Sequence, residues 1–176
     1  MSTYDATCTI RRMTADDLAM VLEWRNHPDV RQFMYTQHQI SMDEHRQWFE
    51  RVQADSRKHL LIFEVNAEAL GFINFSESAS FPVCDWGFYV APCAPKGTGF
   101  KMGTSALTYA FNELSLHKVC GQALSFNQRS ISFHLKLGFF QEGRLREQFY
   151  DGQQYHDVVC FGLLADEWKS RNEELM

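Results

Sequence analysis

The chain contains no Cys-x-x-Cys pair, and its five cysteines (Cys8, Cys84, Cys93, Cys120 and Cys160) are odd in number. Reduced, mostly buried thiols are expected rather than a disulfide framework. The seven histidines form no His-Glu-x-x-His or similar spacing, so no metal site is expected. Basic runs are missing too. Arg11-Arg12 and Arg57-Lys58 are only dipeptides, and the formal net charge is -5. Nucleic acid and anionic membrane surfaces are therefore excluded as partners, whereas a small anionic ligand needs only local charge. No apolar run approaches membrane-spanning length and no signal peptide is visible, which makes the cytoplasm the expected compartment. Internal repeats, low-complexity tracts and linkers are absent. One domain over residues 1–176 is expected, and a domain of that size buries about 70% of its unfolded surface, with no need of disulfides or metal.

What the chain does have is aromatic side chains, 14% of the total. They fit a bulky core or an aromatic-lined cleft equally well. Residues 8–12 read as a strand. Thr14 with Asp17 resembles a capping box for a helix carrying Leu18, Val21 and Leu22, which Pro28 stops. Phe33, Met34 and Tyr35 lie in a loop. Ser41 with Glu44 caps a second helix running to about Ala54. Strands follow at 59–66 and 69–76 about a turn at Asn66-Ala67-Glu68, and again at 84–90. Pro92, Pro95, Gly97 and Gly99 then break the pattern before a helix at 100–114. A strand at 118–125 leads to a helix at 127–137, ended by Gly138. Strands at 143–150 and 154–163 close the chain about Asp151-Gly152. The strand–helix–strand portion needs a crossover and so a parallel pair, while the hairpins are antiparallel. The fold class is α/β, a mixed central sheet flanked by helices on both faces.

Two segments carry chemistry. In the first, Cys84-Asp85-Trp86-Gly87-Phe88-Tyr89-Val90 is followed by Ala94-Pro95-Lys96-Gly97-Thr98-Gly99-Phe100 and a helix. Backbone N–H groups of a glycine turn at a helix start, with the positive end of the helix dipole, suit a phosphate. Lys96 and Lys101 add charge. A plain strand-to-helix turn has the same glycines. The Walker ending Gly-Lys-Ser/Thr is missing, and so is the third glycine of a dinucleotide fingerprint. In the second, Asn127, Ser130, Ile131 and His134 share one stripe of a helix. That stripe faces a ligand or solvent, and Asn127 is also a natural N-cap.

Together, in this order and spacing, the two segments resemble the GNAT N-acyltransferases. The resemblance implies a GNAT-like fold and acetyl-CoA as co-substrate. Its pantetheine arm would lie along Phe88, Tyr89 and Val90. Its pyrophosphate would lie over Lys96, Gly97, Thr98, Gly99 and Phe100, and Asn127 and Ser130 would lie beside the thiol. Two positions depart from the family pattern: Ala94 replaces a Gln or Arg, and His134 replaces a Tyr that protonates the departing thiolate. Leu22-Glu23-Trp24-Arg25-Asn26-His27-Pro28, Phe33-Met34-Tyr35, Ile40-Ser41, His45, Trp48-Phe49, Leu70-Gly71 and Glu142-Gly143-Arg144-Leu145-Arg146 narrow the likeness. They are similar to the UDP-4-amino-4,6-dideoxy-N-acetyl-β-L-altrosamine N-acetyltransferases of pseudaminic acid biosynthesis, a sugar of flagellin glycosylation. The likeness covers about residues 8–164. It implies a nucleotide-sugar pocket of Arg25, Met34, Tyr35, His45, Trp48 and Gln122. Tyr35 and Trp48 offer flat faces for a uracil ring, and Arg25 a fork for a diphosphate. Core packing for Trp48, a solvated helix end for Arg25 and a cap for His27 remain open readings.

Acetyl transfer needs a neutral amine, a stabilised oxyanion and a thiolate that can leave. Backbone N–H groups near Phe88–Val90 would serve the oxyanion. His134 would be the acid, and His45 the base, with Gln122 orienting. No nucleophilic dyad is visible, so direct transfer in a ternary complex is expected, within a monomer or a homodimer. Two alternatives stand. One is acetylation of a protein amino terminus or of another amino sugar. The other is a non-enzymatic coenzyme-A-binding module, which would bind acetyl-CoA without turnover.

Overall fold

The computed structural model describes residues 6–175. They form a mixed α/β structure with seven strands in the order β1-β2-β3-β4-β5-β7-β6. The chain falls into two compact units. One holds the described residues up to Ser76 together with Gly87–Tyr109, and the other holds Glu77–Trp86 and the chain from Ala110 onward. Strand β4 (Val83–Val90) contributes its first half to the second unit and its last half to the first. None of the described helices is long and apolar enough to cross a membrane.

In the first unit β1 (Cys8–Arg12), β2 (Lys58–Val65) and β3 (Glu68–Glu77) form an antiparallel meander, in register from Cys8↔Val65 and Lys58↔Ser76. The turn joining β2 to β3 takes positive φ at Asn66 (52°) and Ala67 (65°), the mirror-image turn that suits the twist of a hairpin. The Ala91 N–H donates to the Leu70 carbonyl (2.9 Å), which holds the end of β4 beside β3. Apolar side chains from α1 (Leu18–Asn26) and α3 (Met42–Gln53) pack on this sheet. Leu18, Val21, Trp24, Phe49 and Val52 meet Leu60, Ile62, Phe72 and Ala91. Each such side chain, fully buried, is worth about 1.5–3 kcal/mol.

The expected capping boxes are both present, with one change. Thr14 and Asp17 open a single 3₁₀ turn (Ala15–Asp17) rather than α1 itself. The Asp17 carboxylate accepts from the Thr14 N–H (2.8 Å) and from both Nη atoms of Arg11 (2.8 Å each). Pro28 stops α1 as expected, but it also starts a short helix, α2 (Pro28–Arg31), because proline suits a first helical position. His27 caps that helix, accepting from the Asp29 N–H at 3.3 Å. Helix α4 (Thr98–Asn112) lies close on β3 because residue 71 is glycine. A Cβ there would collide with the buried Met102 sulfur.

The second unit begins where β4 pairs in parallel with β5 (Lys118–Leu124), from Val83↔Lys118 to Asp85↔Cys120. That ladder stops well before β4 ends at Val90. Antiparallel pairing then joins β5 to β7 (Tyr155–Leu164), and β7 to β6 (Phe140–Tyr150). Helix α5 (Gln128–Leu137) ends at Gly138, whose φ of 98° is the left-handed cap expected for it. A last helix, α6 (Ala165–Leu175), carries no strong sequence signal and was not anticipated. Its buried Trp168 packs near Phe111.

Candidate functional site

Most of the expected site residues fall in the first unit, where the last residues of α1 organise the chain that follows. Asn26 exchanges two hydrogen bonds with the backbone of Ile40, both 2.8 Å. Arg25 donates from Nη2 to the Thr36 carbonyl at 2.8 Å. These bonds pin the segment bearing Met34, which is partly buried, and Tyr35, which is 56% exposed. The Trp-Arg-Asn run thus has a local role that its helix position alone did not reveal.

The same unit holds a continuous aromatic column. His45 stacks on Trp48 (centroids 5.1 Å apart, planes 19° apart), and Trp48 meets the edge of Phe72 at 6.1 Å. Phe72 stacks on Tyr89 at 5.0 Å. Phe72 and the side chain of Tyr89 were missed as site residues. The alternation of β4 held the signal, since it sends Tyr89 to the opposite face from Trp86 and Phe88.

Among the described residues of this unit, two buried side-chain polar atoms have no hydrogen-bond partner: Nη1 of Arg25 and Nε2 of His45. His45 is buried, at 4% exposure. Its ring bonds the Leu18 backbone, which leaves the lone pair on Nε2, and burial together with the nearby Arg25 charge holds its pKa below the ordinary value. Burial likewise lowers the Arg25 pKa, and the groups that act on it electrostatically are Tyr89 and Arg31, with no carboxylate among them. Burial raises the Tyr89 phenol. The cluster is therefore a half-buried guanidinium, a neutral imidazole and a neutral phenol. Leaving a buried polar group unpaired costs about 1–3 kcal/mol, more for a charged one, so a ligand that pairs them recovers that cost.

The glycine turn lies in the same unit. Gly97 has φ of 94°, and nothing stands within 4 Å of where its Cβ would be. The turn is tightened by Thr98, whose N–H and hydroxyl both bond the Pro95 carbonyl (3.1 and 2.7 Å). The N–H groups of Phe100 and Lys101 point to the Gly97 carbonyl, so part of the first turn's donor capacity is used internally. Lys96 and Lys101 are exposed, as an anion-facing pair would be. A glycine with left-handed backbone facing open space at a helix start fits a pyrophosphate.

The second unit holds the remaining expected residues, Gln122, Asn127, Ser130 and His134. The Asn127 Oδ1 accepts from the Ser130 N–H at 3.1 Å, capping α5. The Ser130 carbonyl lies 2.8 Å from Nδ1 of His134. At the other end of the ring, the Trp86 indole N–H donates to Nε2 at 3.1 Å. An indole N–H can only donate, so Nε2 carries the lone pair and Nδ1 carries the proton, which goes to Ser130. His134 is 1% exposed, stacks on Phe161 at 4.6 Å, and has a pKa pushed by burial down to about 4. The ring is therefore neutral at physiological pH, and its one proton is held by a backbone carbonyl. Gly121 completes the fit, since a Cβ there would strike Nε2 of His134 and lie 2.8 Å from the Trp86 indole nitrogen. Gln122 is exposed on β5, in register with Cys160.

A mixed sheet, a strand that outruns its parallel ladder, and an open glycine turn at the start of the next helix are the frame of an acyl-CoA transferase. The chain belongs to the GNAT acetyltransferase family: the acetyltransferase (GNAT) domain model matches residues 8–140. It is 32% identical to the SPbeta prophage-derived N-acetyltransferase YokL of Bacillus subtilis over 132 residues, 70% of this chain and 71% of that protein. It is 27% identical to the acetyltransferase PseH of Campylobacter jejuni over 128 residues, covering 72% and 79% of the two chains. The crystal structure of spermidine N-acetyltransferase from Vibrio cholerae in complex with CoA and spermine superposes with a TM-score of 0.85. It covers 92% of this chain and 98% of that one at 22% identity, a likeness of fold. The chain is an N-acetyltransferase that uses acetyl-CoA as co-substrate.

Proposed function

We propose that the protein acetylates the 4-amino group of a UDP-linked 4-amino-4,6-dideoxy sugar, by direct transfer from acetyl-CoA in a ternary complex. The observation that carries this reading is Arg25. Its guanidinium is half-buried, one nitrogen is unpaired, and no carboxylate balances it. A diphosphate supplies the missing charge and accepts from the fork. Trp48 and Tyr89, the partly buried members of the column, offer the flat apolar faces that a uracil ring needs, with Met34 and Tyr35 on the pinned segment. The similarity to PseH adds support.

A polyamine is the competing acceptor, because spermidine acetyltransferases are similar over most of the chain. Electrostatics favours the sugar nucleotide. A polycation would meet an uncompensated arginine, and like charges brought together in a desolvated cluster repel strongly.

In the proposed reaction the backbone of Phe88, Tyr89 and Val90, beyond the end of the β4–β5 ladder, pairs with the pantetheine arm and donates to the carbonyl oxygen as it gains charge. The turn at Lys96–Phe100 takes the pyrophosphate. His45, neutral and with its lone pair on Nε2, is the base of the cluster. The thiolate leaves unassisted, tolerable for a thiol of pKa near 8.5. His134, Asn127 and Ser130 shape α5 and the Trp86 pocket rather than handle protons.

A thiol-release assay with acetyl-CoA and a panel of UDP-amino sugars, spermidine and an alanine-terminated peptide tests this. Turnover with a UDP-4-amino sugar, and weak or no turnover with the others, is expected. Activity confined to the peptide or the polyamine overturns the reading. Tight acetyl-CoA binding with no turnover on any amine would favour a non-enzymatic module.

A further inference from the structure

Asn74 lies in the interior of β3, opposite Leu60 in register and two residues beyond Phe72. Residues two apart share a face of a strand, so Asn74 stands on the face that carries the Phe72–Tyr89 stack. Gly87, two residues before Tyr89, lies beneath it. A Cβ built on Gly87 would sit 2.5 Å from Oδ1 of Asn74 and 3.4 Å from its Cγ. The carboxamide therefore rests on the bare backbone of Gly87, in space that any other residue would fill with its own side chain.

The fold makes no use of that carboxamide. Asn74 is partly buried, yet neither of its polar atoms bonds another of the described residues. Asparagine is a poor strand former, and its amide is not among the buried unpartnered groups, so it stands open to a partner from outside the chain. Packing alone accounts for neither the asparagine nor the glycine.

We propose that Asn74 is a positioning residue for the acceptor: its carboxamide, laid over Gly87, hydrogen-bonds the acceptor next to the reacting amine, at the entrance to the Phe88–Val90 backbone. A carboxamide offers an acceptor and two donors and no charge. It can hold a ring hydroxyl or the neutral amine itself without raising the amine's pKa, as a carboxylate would. This inference rests on the first unit's cluster being the acceptor side.

Steady-state kinetics on the full chain test it, using whichever amine of the panel the wild type turns over. Absence of sugar turnover then counts against the sugar reading alone. For Asn74→Ala, the acceptor KM should rise about five- to tenfold, the worth of one net hydrogen bond, with the acetyl-CoA KM and the Tm unchanged. Asn74→Ser should recover part of the loss. Gly87→Ala should displace the amide and raise the acceptor KM alone, and should add nothing in the Asn74→Ala background. Wild-type acceptor KM in Asn74→Ala overturns the proposal. So does an equal rise in the acetyl-CoA KM, or a Gly87→Ala defect that persists without Asn74. Should Gly87→Ala fail to fold, Asn74→Ala and Asn74→Ser decide the matter.

Discussion

His45 in the first unit and His134 in the second both sit buried among aromatic rings, and their nitrogens end in opposite states. His134 stacks on Phe161, gives its proton to Ser130 and receives the Trp86 N–H. His45 stacks on Trp48 and bonds the Leu18 backbone, but its Nε2 is buried with no partner. Burial lowers both pKa values, so both rings are neutral. What differs is completion. Folding satisfies both ring nitrogens of His134 and leaves one nitrogen of His45, along with one of Arg25, unsatisfied. Buried polar groups are nearly always paired, so an unpaired set calls for a partner from outside the chain, a water or a ligand.

The largest test of this contrast is the pH dependence of stability. His134 has a folded pKa near 4 against about 6.5 when exposed. Below pH 6.5 the unfolded chain binds a proton that the folded chain refuses, so stability is full above that pH and falls as pH drops toward 4. The loss is about 3 kcal/mol for this one group. Urea unfolding of the wild type and of His134→Phe across pH 4–8 measures it. The variant should lose most of that slope, and its turnover at neutral pH should stay within severalfold of wild type. A fall of about 10²-fold or more in turnover would restore His134 as an acid.

Arg25→Ala comes next. It removes the unpaired charge from the other cluster. Hydrogen bonds to charged groups are worth about 1.5–3 kcal/mol, so the KM for a sugar nucleotide should rise roughly tenfold to a hundredfold. Acetyl-CoA affinity, measured by calorimetry, should not change. For spermidine the sign should reverse, because the substitution removes a repulsion. A matching loss with spermidine would break the electrostatic argument for the sugar.

The fold was largely legible in the sequence because its signals are local. Caps at Ser41 and Asn127, the glycine stop at Gly138 and the Asn66 turn each depend on a few neighbouring residues. Helix α2 was hidden because Pro28 reads as a stop when it is also a start. In the site, the glycine turn and Arg25 were visible as residue types. The column from His45 to Tyr89 was not, since it joins α3, β3 and β4 by packing that no spacing encodes. The surroundings of His134 are hidden for the same reason: Trp86, distant in sequence, donates to its lone pair.

The smallest expected effect concerns Asn127, where cap and cofactor contact make different demands on one side chain. Its Oδ1 caps α5 through the Ser130 N–H. Removing an N-cap side chain costs about 1 kcal/mol, so Asn127→Ala should lower the unfolding free energy by that amount. Asn127→Asp keeps the acceptor oxygen and adds a negative charge at the positive end of the helix, so stability should be retained or slightly raised. If the residue only caps, both variants keep the acetyl-CoA KM within about twofold. If the cofactor also takes a hydrogen bond from Nδ2, Asn127→Asp removes that donor and sets a charge against an anionic ligand. Its KM for acetyl-CoA would then climb while its Tm held. Chemical denaturation and acetyl-CoA titration of both variants separate the two cases. The internal bonding of α5 leads us to expect a stability change in the alanine variant and no change in cofactor affinity in either.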